Sequence, residues 1–269
     1  MGRLDGKRIL VIGASAGIGR TAGLAIAHAG AQVALAARRA DRCGEAAAEV
    51  GDRAIALSCD VRDPEACERV VRETVDAFGG LDAFVYSSAV SPLARLAEAD
   101  SEMWHAIIET NLIGAGLICR AALPHLRESE GRAVFLSSSS VGRPYPALSI
   151  YAASKAGLET MVQGWRAENP DVCFSCIIVG PTEATEFATA WDMDLAIEML
   201  PFWAQHGYDA GGISMRLDDM AATIVDVLAS PVCLWTVWAQ ADPANPAPIP
   251  PAEVNFGITD LGPAQTPGE

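Results

Sequence analysis

Hydrophobic residues along the chain form short apolar runs that alternate with longer segments of helical spacing. The apolar runs lie at 7–13, 32–37, 54–61, 82–88, 132–138 and 172–180. The segments with a helical period lie between them, at 16–30, 41–51, 64–78, 101–127 and 150–167. Apolar strands that alternate with helices are typical of a parallel sheet covered on both faces. The pattern therefore predicts a single α/β domain built on a doubly wound parallel sheet.

The regular alternation stops after the sixth apolar run. Residues 182–212 mix Thr, Glu, Trp, Met and Gly without a clear period. A further helix is predicted over 216–229 and a last strand over 232–239. The segment 241–269 is rich in proline, and an irregular tail is predicted there. We therefore expect one domain over 1–240 followed by that tail.

Composition narrows the choice of partners and compartment. The 269 residues carry a net charge of −15, from 34 acidic and 19 basic side chains. Such a surface repels phosphate backbones and anionic lipid, so we expect neither a nucleic-acid nor a membrane partner. No apolar run approaches the roughly 18 residues of a spanning helix. Because the N-terminus lacks the apolar stretch of a signal peptide, we expect a cytoplasmic protein.

The seven cysteines are scattered along the chain, and their odd number argues against a disulfide framework. Cys173 and Cys176 form a C-x-x-C within the run 172–180. No second Cys or His pair accompanies them, so we predict no metal site. They are interpreted as two small apolar side chains in a buried strand, with a redox or metal role as the minor alternative.

A glycine-rich turn joins the first strand to the first helix in "IGASAGIG". Gly13, Gly17 and Gly19 allow a sharp turn and a close approach of a pyrophosphate, and the helix N-terminus supplies free N–H groups. Ser15 and Ile18 lie on the same turn and are further candidate contacts. The simpler alternative is a plain βα turn. After the first strand of a parallel α/β pattern, however, the turn favours a Rossmann-type dinucleotide site.

The end of the second strand indicates which dinucleotide binds. An acidic residue there would bind the ribose 2′-OH of NAD, but this chain has Ala37 followed by Arg38 and Arg39. An arginine can hold a 2′-phosphate by charge-assisted hydrogen bonds. We therefore predict NADP(H) rather than NAD(H), with Arg38 as the preferred contact. Asp60, followed by Val61, could accept a bond from adenine or could cap the next helix.

The sequence "SIYAASKAG" carries the candidate chemistry. Tyr151 and Lys155 are four residues apart and share one helix face. An ammonium about 4 Å from a phenol, at an effective dielectric of about 20, contributes about 4 kcal/mol. That energy corresponds to a fall of about 3 pKa units, which would bring the phenol close to the range of acid–base work. An isolated pair of this kind is common on helices, so the interpretation depends on its context.

The ordered set of motifs resembles the short-chain dehydrogenase/reductase family, over about residues 5–185. The resemblance implies a catalytic Ser thirteen residues before the Tyr, which is Ser138, with Ser139 as the alternative. It also implies that Asn111, in a kinked helix, binds a water that relays protons to the Lys. Tyr151 would exchange a proton with the substrate oxygen while Lys155 lowers its pKa and binds the nicotinamide ribose.

Two segments depart from the pattern of that family. Its Asn-Asn-Ala-Gly after the fourth strand is replaced by "YSSA" at 86–89, where Ser87 can still form hydrogen bonds. Its Pro-Gly after the sixth strand is replaced by "VGPT", which leaves Gly180 in the turn. The Thr that would bind the nicotinamide amide is either Thr182 or Thr185.

The resemblance implies an NADP(H)-dependent oxidoreductase that interconverts a carbonyl and a secondary alcohol, active as a homodimer or homotetramer packed through 101–127 and 150–167. Residues 182–212 would form a lid over the nicotinamide. The aromatic and Met residues of that lid favour an apolar substrate, or they simply pack the lid onto the body. The departures motivate an alternative, a dinucleotide-binding sensor or scaffold of the same fold without turnover.

Overall fold

The structure is a computed structural model that describes residues 2–205 and 214–241. Its centre is one seven-stranded sheet in the order β3-β2-β1-β4-β5-β6-β7, and every pair of neighbouring strands is parallel. The strands are β1 Arg8–Ile12, β2 Gln32–Ala37, β3 Ala54–Ser58, β4 Ala83–Tyr86, β5 Arg132–Ser138, β6 Cys173–Val179 and β7 Thr236–Ala239. The predicted doubly wound parallel sheet is confirmed.

Helices connect the strands and cover both faces of the sheet. They are α1 Gly17–His28, α2 Ala40–Val50, α3 Pro64–Phe78, α4 Ser101–Ile108, α5 Gly114–Glu128, α6 Ser149–Glu168, α7 Met193–Gln205 and α8 Leu217–Ala229. One apolar core lies between the sheet and α1, α2 and α8, and a second lies between the sheet and α3, α5 and α6. This double coverage explains why the strands are apolar on both faces.

Local sequence sets the helix boundaries. Asp63 caps α3 by accepting a hydrogen bond from the backbone of Glu65, and Pro64 occupies the first helical position, where no donor is lost. The predicted cap of the 101–127 helix is wrong by one residue. Asp100, not Ser101, accepts the first-turn N–H, at 2.8 Å from Met103.

The predicted 101–127 helix is continuous but not uniform. A π-helical turn, Glu109–Ile113, separates α4 from α5. The stretch Ser101–Glu128 is long enough to cross a membrane, and its most apolar part has a mean hydropathy of 1.5. The sequence was expected to contain no membrane-spanning helix. The stretch also packs against α3 and α6, and 44% of its most apolar part is buried in the protein.

The expectation that the cysteines form no disulfide is wrong in one case. Cys173, at the start of β6, is bonded to Cys233, which lies just before β7. The two strands are neighbours in the sheet, so residues 60 positions apart come within 5.4 Å between Cα atoms. The odd count of seven could not reveal a single bridge. Cys176 is buried as a free thiol, as predicted for a core strand.

The strand order reverses between β1 and β4, and ligands bind at such a crevice in open α/β sheets. The carboxyl ends of β1, β2, β4 and β5 all meet at that edge. The lid prediction for 182–212 is described only to residue 205 and includes α7. Residues 206–212 and the tail from 242 lie outside the described residues, and so do the predictions made for them.

Candidate active site

The glycine-rich turn leaves no room for larger side chains. Gly13 and Gly17 have φ of +87° and +51°, a left-handed region that glycine adopts without strain. A Cβ on Gly13 would lie 2.7 Å from the backbone N of Ser88, and one on Gly19 would lie 2.2 Å from the Gly13 carbonyl oxygen. Gly13 and Gly19 therefore pack the turn tightly against the segment after β4, whereas Gly17 is favoured by its left-handed backbone conformation.

The N-terminus of α1 fits a phosphate. Its N-cap residue, Ala16, offers no side-chain oxygen to the first-turn N–H groups, and no acidic residue lies in that turn. Those donors and the helix dipole are therefore directed at the crevice. Ser15 is partly exposed on this turn, whereas Ile18 packs against the core below it.

The two arginines after β2 differ in their contacts. Ala37 ends the strand, and no carboxylate follows it directly. Arg39 donates a 2.9 Å hydrogen bond to Ser15 Oγ on the glycine-rich turn. Arg38 is exposed, and its charge helps to lower the pKa of Asp60, the main cause being the Arg62 hydrogen bond. The geometry therefore brings Arg39, rather than the preferred Arg38, onto the turn.

Asp60 and Val61 follow β3, the strand that pairs with β2 at the edge of the sheet. The Asp60 carboxylate accepts hydrogen bonds from the Arg62 guanidinium at 2.7–3.2 Å, which lowers its pKa. It does not cap α3, because Asp63 has that role. Val61 is buried against the core. Of the two alternatives for Asp60, helix capping is excluded.

The altered segment after β4 still supports the turn. The Ser87 N–H donates to the Ile12 carbonyl at 2.9 Å, and the Ser87 Oγ would lie 3.2 Å from a Cβ on Gly19. Ala89 is exposed, so its methyl group does not crowd the interior. The loss of the expected amides therefore leaves the bracing of the turn in place.

The segment after β6 crosses the same turn. The Gly180 N–H donates to the Ala239 carbonyl at 2.9 Å, which extends the pairing with β7. The Thr182 hydroxyl turns back to the Gly180 carbonyl at 3.0 Å. Thr185 instead packs on the turn, since its Cα would lie 3.5 Å from a Cβ on Gly17. Of the two candidate threonines, Thr185 is the one in contact with the turn.

Ser138, Tyr151 and Lys155 come together at the end of β5. Tyr151 and Lys155 lie one turn apart on α6, and both are buried. A hydrogen bond with Ser138 favours the ionised form of the Tyr151 phenol. Ser138 itself accepts a bond from Ser140 Oγ at 3.0 Å, which fixes its hydroxyl. Of the two candidate serines, Ser138 is the one next to the Tyr151 phenol.

The expected effect of Lys155 on the phenol is not found. Burial raises the pKa of Tyr151 to about 12, and the Ser138 hydrogen bond only partly opposes that rise. The Lys155 Nζ lies 5.9 Å from the centre of the Tyr151 ring and donates to the Leu136 carbonyl at 2.7 Å. Burial lowers the pKa of Lys155 itself to about 8. In this closed arrangement, desolvation therefore outweighs the predicted attraction.

Asn111 occupies the π-helical turn and is completely buried. Its amide forms two hydrogen bonds with the backbone of Val90, at 2.8 and 2.9 Å, and a third with Ser154 Oγ at 3.0 Å. The extra residue of a π turn displaces the side chain from the helical ladder. Asn111 thereby ties the segment after β4 to α6 at Ser154, between Tyr151 and Lys155 in the chain.

Apolar lid residues cover the Tyr151 phenol. The Phe187 ring packs edge-on against it at 5.2 Å between centroids, and Trp191 packs on Phe187 at 5.5 Å. The Trp191 indole also donates to the Ser91 carbonyl at 2.8 Å. Further buried lid and loop residues complete the cluster: Leu93, Leu148, Leu195, Met199 and Trp203.

Comparison with known proteins decides the family. Residues 7–195 match the profile of the short chain dehydrogenase family. The chain belongs to the short-chain dehydrogenase family. The 11-beta-hydroxysteroid dehydrogenase 1A of Arabidopsis thaliana is 36% identical over 187 residues, 67% of this chain and 54% of that protein. This chain thus spans about half the length of the first curated relatives that it matches.

Two further relatives have a similar extent to this short-chain dehydrogenase. The short-chain dehydrogenase/reductase FrzI of Cladobotryum sp is 30% identical over 204 residues, 73% of this chain and 78% of that protein. The solved alcohol dehydrogenase of the archaeon Thermococcus sibiricus, complexed with 5-hydroxy-NADP, superposes with a TM-score of 0.76 at 25% identity. That match covers 90% of this chain and 99% of the archaeal one.

Sequence reasoning missed one charged residue at the candidate site of this chain. Glu186, 147 residues from Arg39 in the chain, forms ion pairs with both Arg39 and Arg42. No motif or spacing links residues so far apart. The only hint is an acidic residue within the predicted lid, opposite a basic end of β2, and such a hint cannot specify a pair.

Proposed function

We propose that this chain is an NADP(H)-dependent oxidoreductase that interconverts a carbonyl and a secondary alcohol. The observation that carries the proposal is the placement of three side chains: Ser138 ends β5 next to the Tyr151 phenol, and Lys155 lies one helical turn from Tyr151, with both α6 residues buried. The three side chains lie at the carboxyl edge of the sheet, the edge that also carries the glycine-rich turn. Family membership supports oxidoreductase chemistry in general.

Tyr151 has the protonation state that a general acid requires. Because burial raises its pKa to about 12, the phenol is protonated at neutral pH and can donate to a carbonyl oxygen. Ser138 would donate its hydrogen bond to the same oxygen as negative charge develops there. A bound dinucleotide would supply the hydride. In the direction of alcohol oxidation, the phenol must take up a proton, which requires its pKa to fall on ligand binding.

Lys155 would supply part of that fall. With a pKa of about 8, its ammonium is mostly charged at neutral pH, and its hydrogen bond to Leu136 holds it beside the phenol. A developing phenolate would attract this charge strongly, because burial keeps water from screening the two groups. Lys155 is therefore proposed to stabilise the anionic form of Tyr151 and to bind the nicotinamide ribose.

The preference for NADP(H) rests on charge at the end of β2. Arg38, Arg39 and Arg42 lie within five residues, and Ala37 stands where an acidic residue would bind a ribose 2′-OH. A guanidinium pair is suited to a phosphate dianion. The related archaeal alcohol dehydrogenase was solved with an NADP derivative, which supports the same choice.

The substrate is proposed to be apolar. Leu93, Leu148, Met199 and Trp203 lie in one apolar cluster with Tyr151, and α7 contributes the last two. A carbonyl compound entering this space would replace lid contacts with similar ones, so little polar desolvation would oppose its binding. A polar substrate would lack partners there.

A second candidate function keeps the fold without turnover. Phe187 lies directly on the Tyr151 ring, and a lid that stays closed would leave a dinucleotide-binding sensor or scaffold. The two proposals differ in one outcome. The sensor binds nucleotide but reduces no carbonyl.

Nucleotide titration followed by a substrate panel tests both functions. NADPH and NADH are titrated into the full chain by following nucleotide fluorescence, and then ketones and aldehydes of increasing apolar size are offered. The proposal predicts NADPH binding and turnover of the larger apolar carbonyls. Binding without turnover across the panel favours the sensor. Absence of binding of either nucleotide contradicts both.

A further inference from the structure

Three consecutive residues after β6 contact three separate parts of the crevice. Thr185 packs on Gly17 of the glycine-rich turn. Glu186 forms ion pairs with the arginines after β2. The Phe187 ring covers Tyr151, and its carbonyl accepts a hydrogen bond from Ser91 Oγ at 2.8 Å. The tripeptide therefore spans the crevice from its basic end to the catalytic phenol.

The Glu186 carboxylate is held by two cations at once. Arg39 donates to its two oxygens at 3.1 and 2.5 Å, and Arg42 donates at 2.7 Å. Arg39 also donates to Ser15 on the turn. The Arg39 hydrogen bond is the largest cause that lowers the pKa of Glu186, so the carboxylate is ionised at neutral pH. Two guanidinium groups directed at one anion form a site for an anion, which is here an internal one.

A carboxylate at this location has opposite consequences for the two dinucleotides. In a Rossmann site, an acidic residue accepts a hydrogen bond from the ribose 2′-OH of NAD and repels a 2′-phosphate. That residue normally follows β2, where this chain has Ala37. Glu186 brings a carboxylate to the same end of the sheet from the lid. A 2′-phosphate would compete with it for Arg39 and Arg42, whereas a 2′-OH would not.

We propose that Glu186 is a cofactor-specificity residue that weakens NADPH binding by occupying the arginines otherwise available to the 2′-phosphate. This inference rests on the proposed function, since it requires that the crevice binds a dinucleotide. It extends that function by making the NADP preference a balance between the arginines of β2–α2 and one lid carboxylate. The wild-type chain is accordingly expected to bind both nucleotides with a modest preference.

The test compares Glu186→Gln with Glu183→Gln, which removes the same charge three residues earlier, where the backbone pairs with Met215. Dissociation constants for NADPH and NADH are measured by calorimetry for both variants and for the wild type. Glu186→Gln should bind NADPH about tenfold more tightly and leave NADH within about twofold of the wild type. Glu183→Gln should leave both constants within about twofold.

A double variant shows whether Glu186 acts through Arg39. In Arg39→Gln, adding Glu186→Gln should change NADPH affinity by less than about threefold, because Arg39, which donates two of the three hydrogen bonds to Glu186, is gone and only Arg42 remains contested. Thermal denaturation of each variant checks that it is folded, and Arg42→Gln paired with Glu186→Gln provides the same test if the Arg39 variant is unstable.

The outcomes separate this inference from the proposed function. If the wild type binds neither nucleotide, the proposed function fails. If it binds one or both but Glu186→Gln leaves the ratio of the two constants unchanged, the inference is overturned while the function stands. An equal gain for NADPH and NADH also overturns it, because that result would mean general loosening of the lid.

Discussion

The two ends of the crevice differ in how far their polar and charged side chains are exposed to solvent. At the catalytic end, which comprises Ser138, Tyr151, Lys155 and Asn111, the last three are at most 5% exposed. At the turn end, which comprises residues 13–19, the β2–α2 arginines and Glu186, the paired side chains of Arg39 and Glu186 are 43% and 40% exposed. One end is thus a dry network of hydrogen bonds, and the other is a wet cluster of ion pairs.

This difference determines which force controls each end. Desolvation dominates the catalytic end. It raises the pKa of Tyr151 and lowers the pKa of Lys155, so it favours the neutral form of both side chains. Hydrogen bonds between oppositely charged side chains dominate the turn end, where the Arg39 hydrogen bond lowers the pKa of Glu186 and so favours its charged form. Changes at the catalytic end should therefore affect chemistry and stability. Changes at the turn end should affect nucleotide affinity and respond to salt.

The largest expected effect comes from comparing one substitution at each end of the crevice. Tyr151→Phe should lower kcat on the order of 10³-fold, because it removes the phenol proposed to transfer the proton, and should leave the NADPH dissociation constant within about twofold. Arg39→Gln should do the reverse, raising that constant about tenfold with kcat within about threefold. Steady-state kinetics and nucleotide titration on the same preparations measure both.

The division of chemistry and nucleotide affinity between the two ends would be contradicted if Tyr151→Phe retained most of the wild-type turnover on a confirmed substrate. It would also fail if Arg39→Gln reduced kcat as strongly as Tyr151→Phe did. Near-identical melting temperatures for the two variants and the wild type serve as the control for folding.

A smaller effect is expected on stability. Asn111→Ala removes three hydrogen bonds and leaves the partly buried N–H and carbonyl of Val90 without their partner. We expect the free energy of unfolding to fall by about 3 kcal/mol, measured by urea denaturation. Glu109→Ala, in the same π-helical turn, removes only an exposed contact with His105 and should cost less than about 0.5 kcal/mol. Equal losses would contradict a network role for Asn111.

The sequence predicted that Ser138, Tyr151 and Lys155 lie together, but it did not predict their pKa values. Their proximity follows because a helix fixes the spacing of the last two and the end of β5 fixes the first. The pKa of Tyr151 depends instead on Phe187 and on the depth of burial, which are set by a lid 36 residues away in the chain. The direction expected from Lys155 alone was therefore wrong for the closed protein.

The turn end shows the opposite limit. Gly13, Gly17 and Gly19 could be recognised because a phosphate-binding turn needs glycine at those spacings. The pairing of Glu186 with Arg39 depends on how an irregular segment folds back over the sheet, and periodicity carries no information about that path. The Cys173–Cys233 bridge was missed for the same reason, since it joins neighbouring strands separated by a helix and a lid.

The pH dependence of turnover tests whether Lys155 acts through its charge. Since burial lowers its pKa to about 8, the ammonium is charged below that pH and loses its proton above it. We expect kcat/KM for NADPH, which reports groups of the free enzyme, to fall about tenfold per pH unit above pH ~8. Lys155→Arg should have lower activity but no such descending limb, because arginine stays protonated.

A profile that stays flat to pH ~10 in the wild type would contradict the burial of a titrating Lys155. A limb near pH ~8 that persisted in Lys155→Arg would assign the titration to another group.

The smallest expected effect is the response to salt, and it returns to the difference between the two ends. Raising the ionic strength from about 0.1 to about 1 M shortens the screening length from about 10 to about 3 Å. The exposed arginines should then attract a 2′-phosphate less, and we expect the NADPH dissociation constant to rise about fivefold. NADH, which lacks that phosphate, should change by less than about twofold, and so should kcat at saturating nucleotide, because the catalytic side chains are buried. A kcat as sensitive to salt as NADPH affinity would mean that the lid opens to solvent during turnover, and the contrast between a dry and a wet end would then hold only for the closed protein.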